Sequence, residues 1–286
     1  MVVRPRAALV LLVLLVAGCT AGGGAVAPPA PAQTSAPPPP STPAPSLPTE
    51  GDAVALPVYY VVRTAAGPRL YRELHHVSSD HPPSAAVREM LARPTGSDPD
   101  YRNPWPAGAA LRSPVEHDGK VITVDLTGLD GGQPGSDLDD LAVQQLVFTV
   151  QDVLHSTDPV RILVDGERVD RLWGVNTKEP VERGDPYELR SLVQIDSPAY
   201  GASVGRTVRV TGEAAVFEAN LHWEVVRGDT VVRSGSAATE EGQRFAPYAF
   251  EVVLDPGEYV VRVMEDDVSG GEGRPVLVDD KMIVVS

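Results

Sequence analysis

Between Thr20 and Glu50 the chain carries 10 prolines in 31 residues, including the run Pro37-Pro38-Pro39-Pro40, and almost everything else in the stretch is Ala, Gly, Ser or Thr. Such a segment has too little apolar surface to repay the entropy of ordering it, so a folded core is expected only downstream. Proline holds φ near −65° and favours extended polyproline II, at about 3.1 Å per residue. The block therefore reads as a tether reaching up to roughly 90 Å. Of the 286 residues, those from about 53 onward must supply the globular part, which is long enough to bury a core without disulfide staples. The chain holds one Cys, so a disulfide scaffold and the Cys-rich zinc sites are excluded. A formal charge of −15 disfavours nucleic acid and anionic membrane surfaces as partners.

Upstream of the tether, Arg4 and Arg6 precede an apolar run from Ala7 to Val16, which is too short to stay in a bilayer as a spanning helix. Residues 1–18 read as a signal peptide. It ends in Leu15-Val16-Ala17-Gly18-Cys19, which resembles a bacterial lipobox, and the sole cysteine stands where a diacylglyceryl group is attached in that motif. Residues 19–52 are then the lipidated cysteine and tether. Two acyl chains meet the requirement for stable anchoring, at about 0.8 kcal/mol per buried methylene.

Residues 53–188 mix strand and helix signals. Leu56-Pro-Val-Tyr-Tyr-Val-Val-Arg63 is rich in β-branched and aromatic residues, and Ala65-Ala66-Gly67-Pro68 turns the chain into a second strand over Leu70 to Val77. Ser84 is placed to cap a short helix with Val87, Met90 and Leu91 on one face, stopped by Pro94. Asp118-Gly119 suits a two-residue hairpin turn, after which Ile122, Val124 and Leu126 alternate onto one face. Ser136-x-x-Asp139 matches a capping box, and Ala142, Val143, Leu146, Val147, Val150 and Val153 follow at helical spacing, with His155 at the far end. A strand over Val160 to Val164 completes an α+β domain, a mixed sheet with two helices on one face.

Leu-Pro-Val-Tyr-Tyr-Val at 56–61, Ser-Pro-Val-Glu-His-Asp-Gly-Lys-Val-Ile-Thr-Val-Asp-Leu at 113–126, the acidic-capped helix and Val-Arg-Ile-Leu-Val-Asp-Gly at 160–166 together resemble a GerMN domain of sporulation and spore-germination proteins. That resemblance implies a binding or assembly module without an agreed active site.

From residue 189 to 286 the helix signals stop. Short alternating segments take their place: Val193 to Asp196, Thr207 to Gly212, Ala219 to Val226, Thr230 to Ser234, Tyr248 to Leu254, Tyr259 to Met264 and Met282 to Val285. Seven strands at this spacing predict an all-β immunoglobulin-like sandwich, with Val208, Val210, Leu221, Trp223, Val225, Tyr248, Phe250 and Val252 facing inward. Pro198-x-x-Gly201, Val-Thr-Gly-Glu-Ala at 210–214, Val-Phe-Glu-Ala-Asn at 216–220 and Phe-Ala-Pro-Tyr-Ala-Phe at 245–250 resemble the immunoglobulin-like domain of bacterial spore germination proteins, a family that often follows a GerMN domain.

Several motifs invite a catalytic or metal reading. Gly201-Ala-Ser203-Val-Gly205 fits the G-x-S-x-G of a hydrolase elbow, but an elbow needs a strand before the serine and a helix after it; here a strand follows. His222, the one histidine downstream, alternates with inward Leu221 and Trp223 and so faces outward. His75, His76, Asp80 and His81 lie close in sequence, yet the neighbouring pair on a strand points to opposite faces. Glu265-Asp266-Asp267 and Asp279-Asp280 read as solvated loop acids, with weak calcium binding as the alternative. No phosphate-binding loop or dinucleotide fingerprint is present in the sequence. Trp105 and Trp173 stand in loops or at a strand end, as exposed contacts for a ligand or partner or as buried anchors of those loops.

The reading is a lipoprotein held at the outer face of the cell membrane through diacylglyceryl-Cys19, non-catalytic, with no metal or other cofactor. It binds or scaffolds in the cell envelope, with a wall or envelope protein as partner and no nucleic acid. The alternatives are a wall-acting hydrolase and a solute-binding lipoprotein.

Overall fold

The computed structural model describes residues 53–266 and 272–286. It opens on a long hairpin, β1 (Val54–Thr64) and β2 (Gly67–Val77), paired in unbroken register from Val54↔Val77 to Thr64↔Gly67. β1 is buried on both faces: Leu56, Val58 and Tyr60 enter the main core, and Tyr59 and Val61 enter a second cluster with Leu70, Leu141 and Phe148. Burial on both faces is why residues 56–62 form a near-continuous apolar run rather than an alternating one.

Helix α1 (Pro82–Leu91) starts two residues before Ser84, because prolines fit a first helical turn, where no N–H is required. His81 is the cap, its Nδ1 accepting from the Ser84 N–H, while the Ser84 hydroxyl accepts from Val115 N–H at 2.8 Å. A five-stranded mixed sheet follows. β3 (Ala110–Leu111) and β4 (Glu116–His117) both pair with β5 (Ile122–Thr127), which runs parallel to β6 (Val160–Val164), itself edged by β7 (Glu167–Arg168). The expected hairpin at Asp118-Gly119 forms with four loop residues rather than two. His117 opposes Ile122, and Asp118 Oδ1 accepts the N–H groups of Lys120 and Val121 to fold the turn.

Helix α2 (Asp139–Leu154) is the crossover between β5 and β6. It begins later than the capping box predicts: residues 136–138 are a turn, with Leu138 N–H on Gly135 O, and no side chain caps the helix. It also packs on more than the one face expected. Ala142, Val143, Leu146, Val147 and Val150 join the main core, and Leu141 and Phe148 the second cluster. Buried Gln145 and Thr149 serve the backbone of β1: Gln145 Nε2 donates to Tyr59 O at 2.7 Å and Tyr59 N–H donates to Thr149 Oγ1 at 3.2 Å. Polar residues on a buried helix face thus complete a strand edge that would otherwise cost unpaired backbone groups.

A small hairpin of β8 (Arg171–Leu172) and β9 (Val175–Asn176) and a short helix α3 (Pro186–Leu189), capped by Asp185, lead to the second module. Its strands are β10 (Val193–Ser197), β11 (Ala202–Val204), β12 (Thr207–Ala214), β13 (Asn220–Arg227), β14 (Thr230–Ala238), β15 (Ala246–Val253), β16 (Gly257–Glu265) and β17 (Val278–Val285). They form two sheets, β10-β12-β15 and β11-β17-β16-β13-β14. Between the sheets lie Val208, Val210, Leu221, Val225, Tyr248, Val252, Val261, Val263 and Ile283. Trp223 and Phe250, expected inward, stack at the margin of this core with centroids 4.7 Å apart. Gly235 makes room for that indole, since a Cβ there would stand 2.5 Å from the ring. β17 begins four residues earlier than expected, which decides the chemistry described next. The described residues all belong to one compact unit.

Candidate functional site at the module junction

Where the first module meets the sandwich, the chain buries charges. β10 lies beside β2: Ser191 N–H donates to Leu70 O at 2.9 Å just before the strand, and Arg190 bridges to Leu70. At the start of β17, Asp279 and Lys281 are 3% and 2% exposed, and Asp98, from the loop after α1, is 3% exposed. Lys281 Nζ donates to Asp98 Oδ2 at 2.8 Å and to Asp279 Oδ1 at 3.0 Å. The Asp279 carboxylate also accepts the Tyr101 hydroxyl at 2.9 Å and Ile195 N–H of β10 at 2.6 Å. The Lys281 ammonium sits 3.8 Å from the centroid of the Tyr101 ring, and the Tyr71 hydroxyl donates to Val278 O at 2.8 Å.

Burial opposes the charge on Lys281, but Asp279 and Asp98 outweigh it and hold the ammonium above the usual lysine range. Tyr101 is pushed well above its ordinary value, first by burial and then by the carboxylate of Asp279. The hydroxyl is thereby kept as a donor to that carboxylate. A low-dielectric pocket makes each of these contacts stronger and makes the loss of any partner costly.

A second ionic cluster continues the junction. Arg72 of β2 grips Asp196 of β10 with two nitrogens, at 2.7 and 3.2 Å, and meets Glu213 of β12 at 3.1 Å. Arg190 also donates to Glu213, at 2.8 Å, with its guanidinium 4.0 Å from the centroid of the Phe245 ring. Burial works against the Arg72 charge, yet Asp196, Tyr59 and Glu213 outweigh it and raise its pKa. Planar, bidentate pairing of this kind fixes direction as well as distance. The arrangement therefore registers one module against the other. Cavities flank it: one of about 120 Å³ is lined by Tyr71, Asp98, Tyr101 and Asp279, and one of about 410 Å³ at the end of α2 is lined by Arg72, Gln151, Asp152 and Arg183.

Of these junction residues only Asp279 stands out in a linear reading. Asp279, expected as a solvated loop acid, is instead a buried strand residue, because β17 includes it. One signal was there: residues 279, 281, 283 and 285 share a phase, and Ile283 and Val285 face the core.

The residues singled out from sequence fare differently. Cys19 lies outside the described residues. Trp105 and Trp173 come together edge-on, centroids 5.0 Å apart. Trp105 is 5% exposed and belongs to the main core, so it anchors its loop rather than presenting a contact surface. Trp173 is half-buried against it at the tip of the β8–β9 hairpin, at φ 53°. Ser203 lies exposed in the middle of β11, paired in parallel with β17, with no helix after it. His222 faces Ser236 Oγ at 3.4 Å and Asp266 at 3.3 Å instead. His75 and His76 do point apart: His75 is set between Glu73 and Glu89, and His76 is exposed. Glu265 is occupied by Arg274 and Leu277 N–H. Among the described residues no group of three or more His, Cys, Asp or Glu is arranged to hold a metal ion.

Comparison with known proteins agrees with this two-module layout. Residues 57–170 match the Germane family, described as sporulation and spore germination, and residues 192–272 match Gmad2, the immunoglobulin-like domain of bacterial spore germination. Among solved structures, the tandem GerMN domains of the sporulation protein GerM from Bacillus subtilis are similar at 17% identity and a TM-score of 0.35, over 49% of this chain and 48% of that one. The first GerMN domain of the same protein is similar at 14% identity and a TM-score of 0.36, over 46% of this chain and 99% of that one. No curated protein matches the chain. The chain thus carries a Germane domain of the sporulation and germination type followed by a Gmad2 immunoglobulin-like domain.

Proposed function

We propose that this protein is a lipid-anchored, extracytoplasmic component of the cell envelope that binds or scaffolds other envelope parts without catalysing a reaction. The observation that carries the scaffolding half is the junction. Asp98, Asp279 and Lys281 are spent on one another and on Tyr101, which suits a rigid two-module presenter better than a reaction centre. The anchoring half rests on Cys19, the sole cysteine, at the end of a lipobox-like segment before a proline-rich tether. The Germane and Gmad2 matches support a role allied to that of sporulation and germination proteins.

Labelling cells with a palmitate analogue tests the anchor. Label should enter the wild-type protein and be absent from Cys19→Ala, which should leave the membrane fraction. A Cys19→Ala protein still sedimenting with membranes would overturn it. Scaffolding without catalysis predicts that Ser203→Ala and His222→Ala strains keep full function, and loss of function in either with the fold intact would restore the hydrolase reading.

A further inference from the structure

The loop that brings Asp98 and Tyr101 into the junction is also held from its other side. The N–H groups of Ser97 and Asp98 donate to the two oxygens of Glu73, at 2.9 and 2.8 Å. At Gly96 the same carboxylate comes so close that a Cβ would stand 2.8 Å from it. Gly96 N–H closes the loop onto Tyr101 O at 2.8 Å. Glu73 in turn meets His75 Nε2 at 3.1 Å, and His75 Nδ1 meets Glu89 of α1 at 3.0 Å.

Both ring nitrogens of His75 therefore face carboxylates, and a carboxylate in its ionised form accepts hydrogen bonds and cannot donate them. Only the doubly protonated imidazolium can donate to both. A neutral ring would turn a lone pair onto one carboxylate at about 3 Å, where lone pair and negative charge repel. The other groups nearby do not replace that proton. The Tyr60 hydroxyl, from β1, lies 3.4 Å from Nε2. Arg93, just beyond α1, acts on Tyr60. His76 is exposed on the opposite side of β2, and Asp98 is matched by Lys281.

We propose that Glu73, His75 and Glu89 form a proton-operated catch for the module junction: the doubly protonated His75 holds Glu73 beneath the 96–101 loop, seating Asp98 and Tyr101 against Lys281 and Asp279, and loss of that proton releases the loop.

Titration runs in the matching direction. Burial disfavours the charge on His75, but Glu73 and Glu89 outweigh it and its pKa is raised above 6.5. A histidine raised on folding contributes stability that is complete below its ordinary value and is lost as pH rises through the folded one. Burial likewise works against Glu73, but the bonds from His75, Asp98 N–H and Ser97 N–H outweigh it, and its pKa falls below 4.5. That contribution is present above 4.5 and is lost as pH falls through the lower folded value. The catch is fully set between those limits.

Hydrogen exchange of the purified full chain from pH 5 to pH 9, corrected for intrinsic rates, tests the proposal, with the His75 ring titration followed in parallel by NMR. Protection of Ser97 and Asp98 should fall as pH rises to the His75 midpoint and level off above it, by about tenfold in all for each unit by which seating raises that midpoint. Glu89→Gln, on the far side of the ring, should lower that midpoint and the levelling-off together, and His75→Gln should remove the pH dependence of the loop. Constant protection across the His75 transition, or a neutral His75 at pH 6, would overturn the catch. Should His75→Gln fail to fold, the wild-type profiles alone still decide.

Discussion

Two of the places where acid and base side chains meet in the second module differ chiefly in their access to water, and water separates their consequences. At the junction, Asp279 and Lys281 are almost wholly buried; on the outer side of β13, His222 and Asp266 keep 45% and 46% of their side chains exposed. The surface set, with Ser236 on one ring nitrogen of His222 and Asp266 on the other, has the residue types of a hydrolytic triad. Its members are screened by solvent, and their ion pair contributes little to stability. The junction uses equally ordinary residues, but in a low-dielectric setting, where a missing partner leaves a charge no water can reach. Residue type suggests a site; burial decides what the site can do.

The comparison is broken most forcefully at its buried end. Lys281→Met keeps the side-chain volume but leaves Asp98 and Asp279 facing each other without a cation. It should destabilise the protein by about 3–5 kcal/mol in urea unfolding. A change below about 1 kcal/mol would mean that water reaches the junction and that the contrast with the surface set is false.

Tyr101→Phe is the sharper and smaller cut. It retains the ring beneath the Lys281 ammonium and removes only the hydroxyl that donates to Asp279. A loss of about 1.5–3 kcal/mol is expected, as for a hydrogen bond to a charged group. Combined with Lys281→Met the two should fall short of additivity, because both act on the Asp279 carboxylate. Additive losses in the double mutant would show that the network is not a unit.

The same contrast explains which parts of the molecule could be read in the sequence. β1, β2, the body of α2 and the alternation of the sandwich strands were legible, because each depends on periodicity within a dozen residues. Helix starts were less so. His81 replaced Ser84 as the cap because two prolines could occupy the first turn, and Ser136 lost its cap role to a preceding turn at Gly135. The junction was almost opaque. Lys281 finds Asp98 across 183 residues of chain, and an Asp or Lys near a strand end is ordinarily solvated. Only the shared phase of Asp279 and Lys281 with Ile283 and Val285 hinted at burial. The Trp105–Trp173 pair was legible as two notable residues but not as one contact, since no local pattern links a loop to a hairpin tip.

The smallest effect belongs to the surface set, and it tests the comparison from the other side. His222→Ala removes a half-exposed ring that meets Ser236 and Asp266 at 3.4 and 3.3 Å, with no buried polar group left behind among the three. Leu221 and Val225, its neighbours on the opposite face of β13, keep their core contacts. The urea midpoint should therefore move by less than about 0.5 kcal/mol equivalent, and 1 M salt should erase what difference there is. A loss comparable to that of Tyr101→Phe would place His222 in a structural role that its exposure does not account for. A loss of envelope function with an unmoved midpoint would instead mark the Ser236–His222–Asp266 surface as a working site.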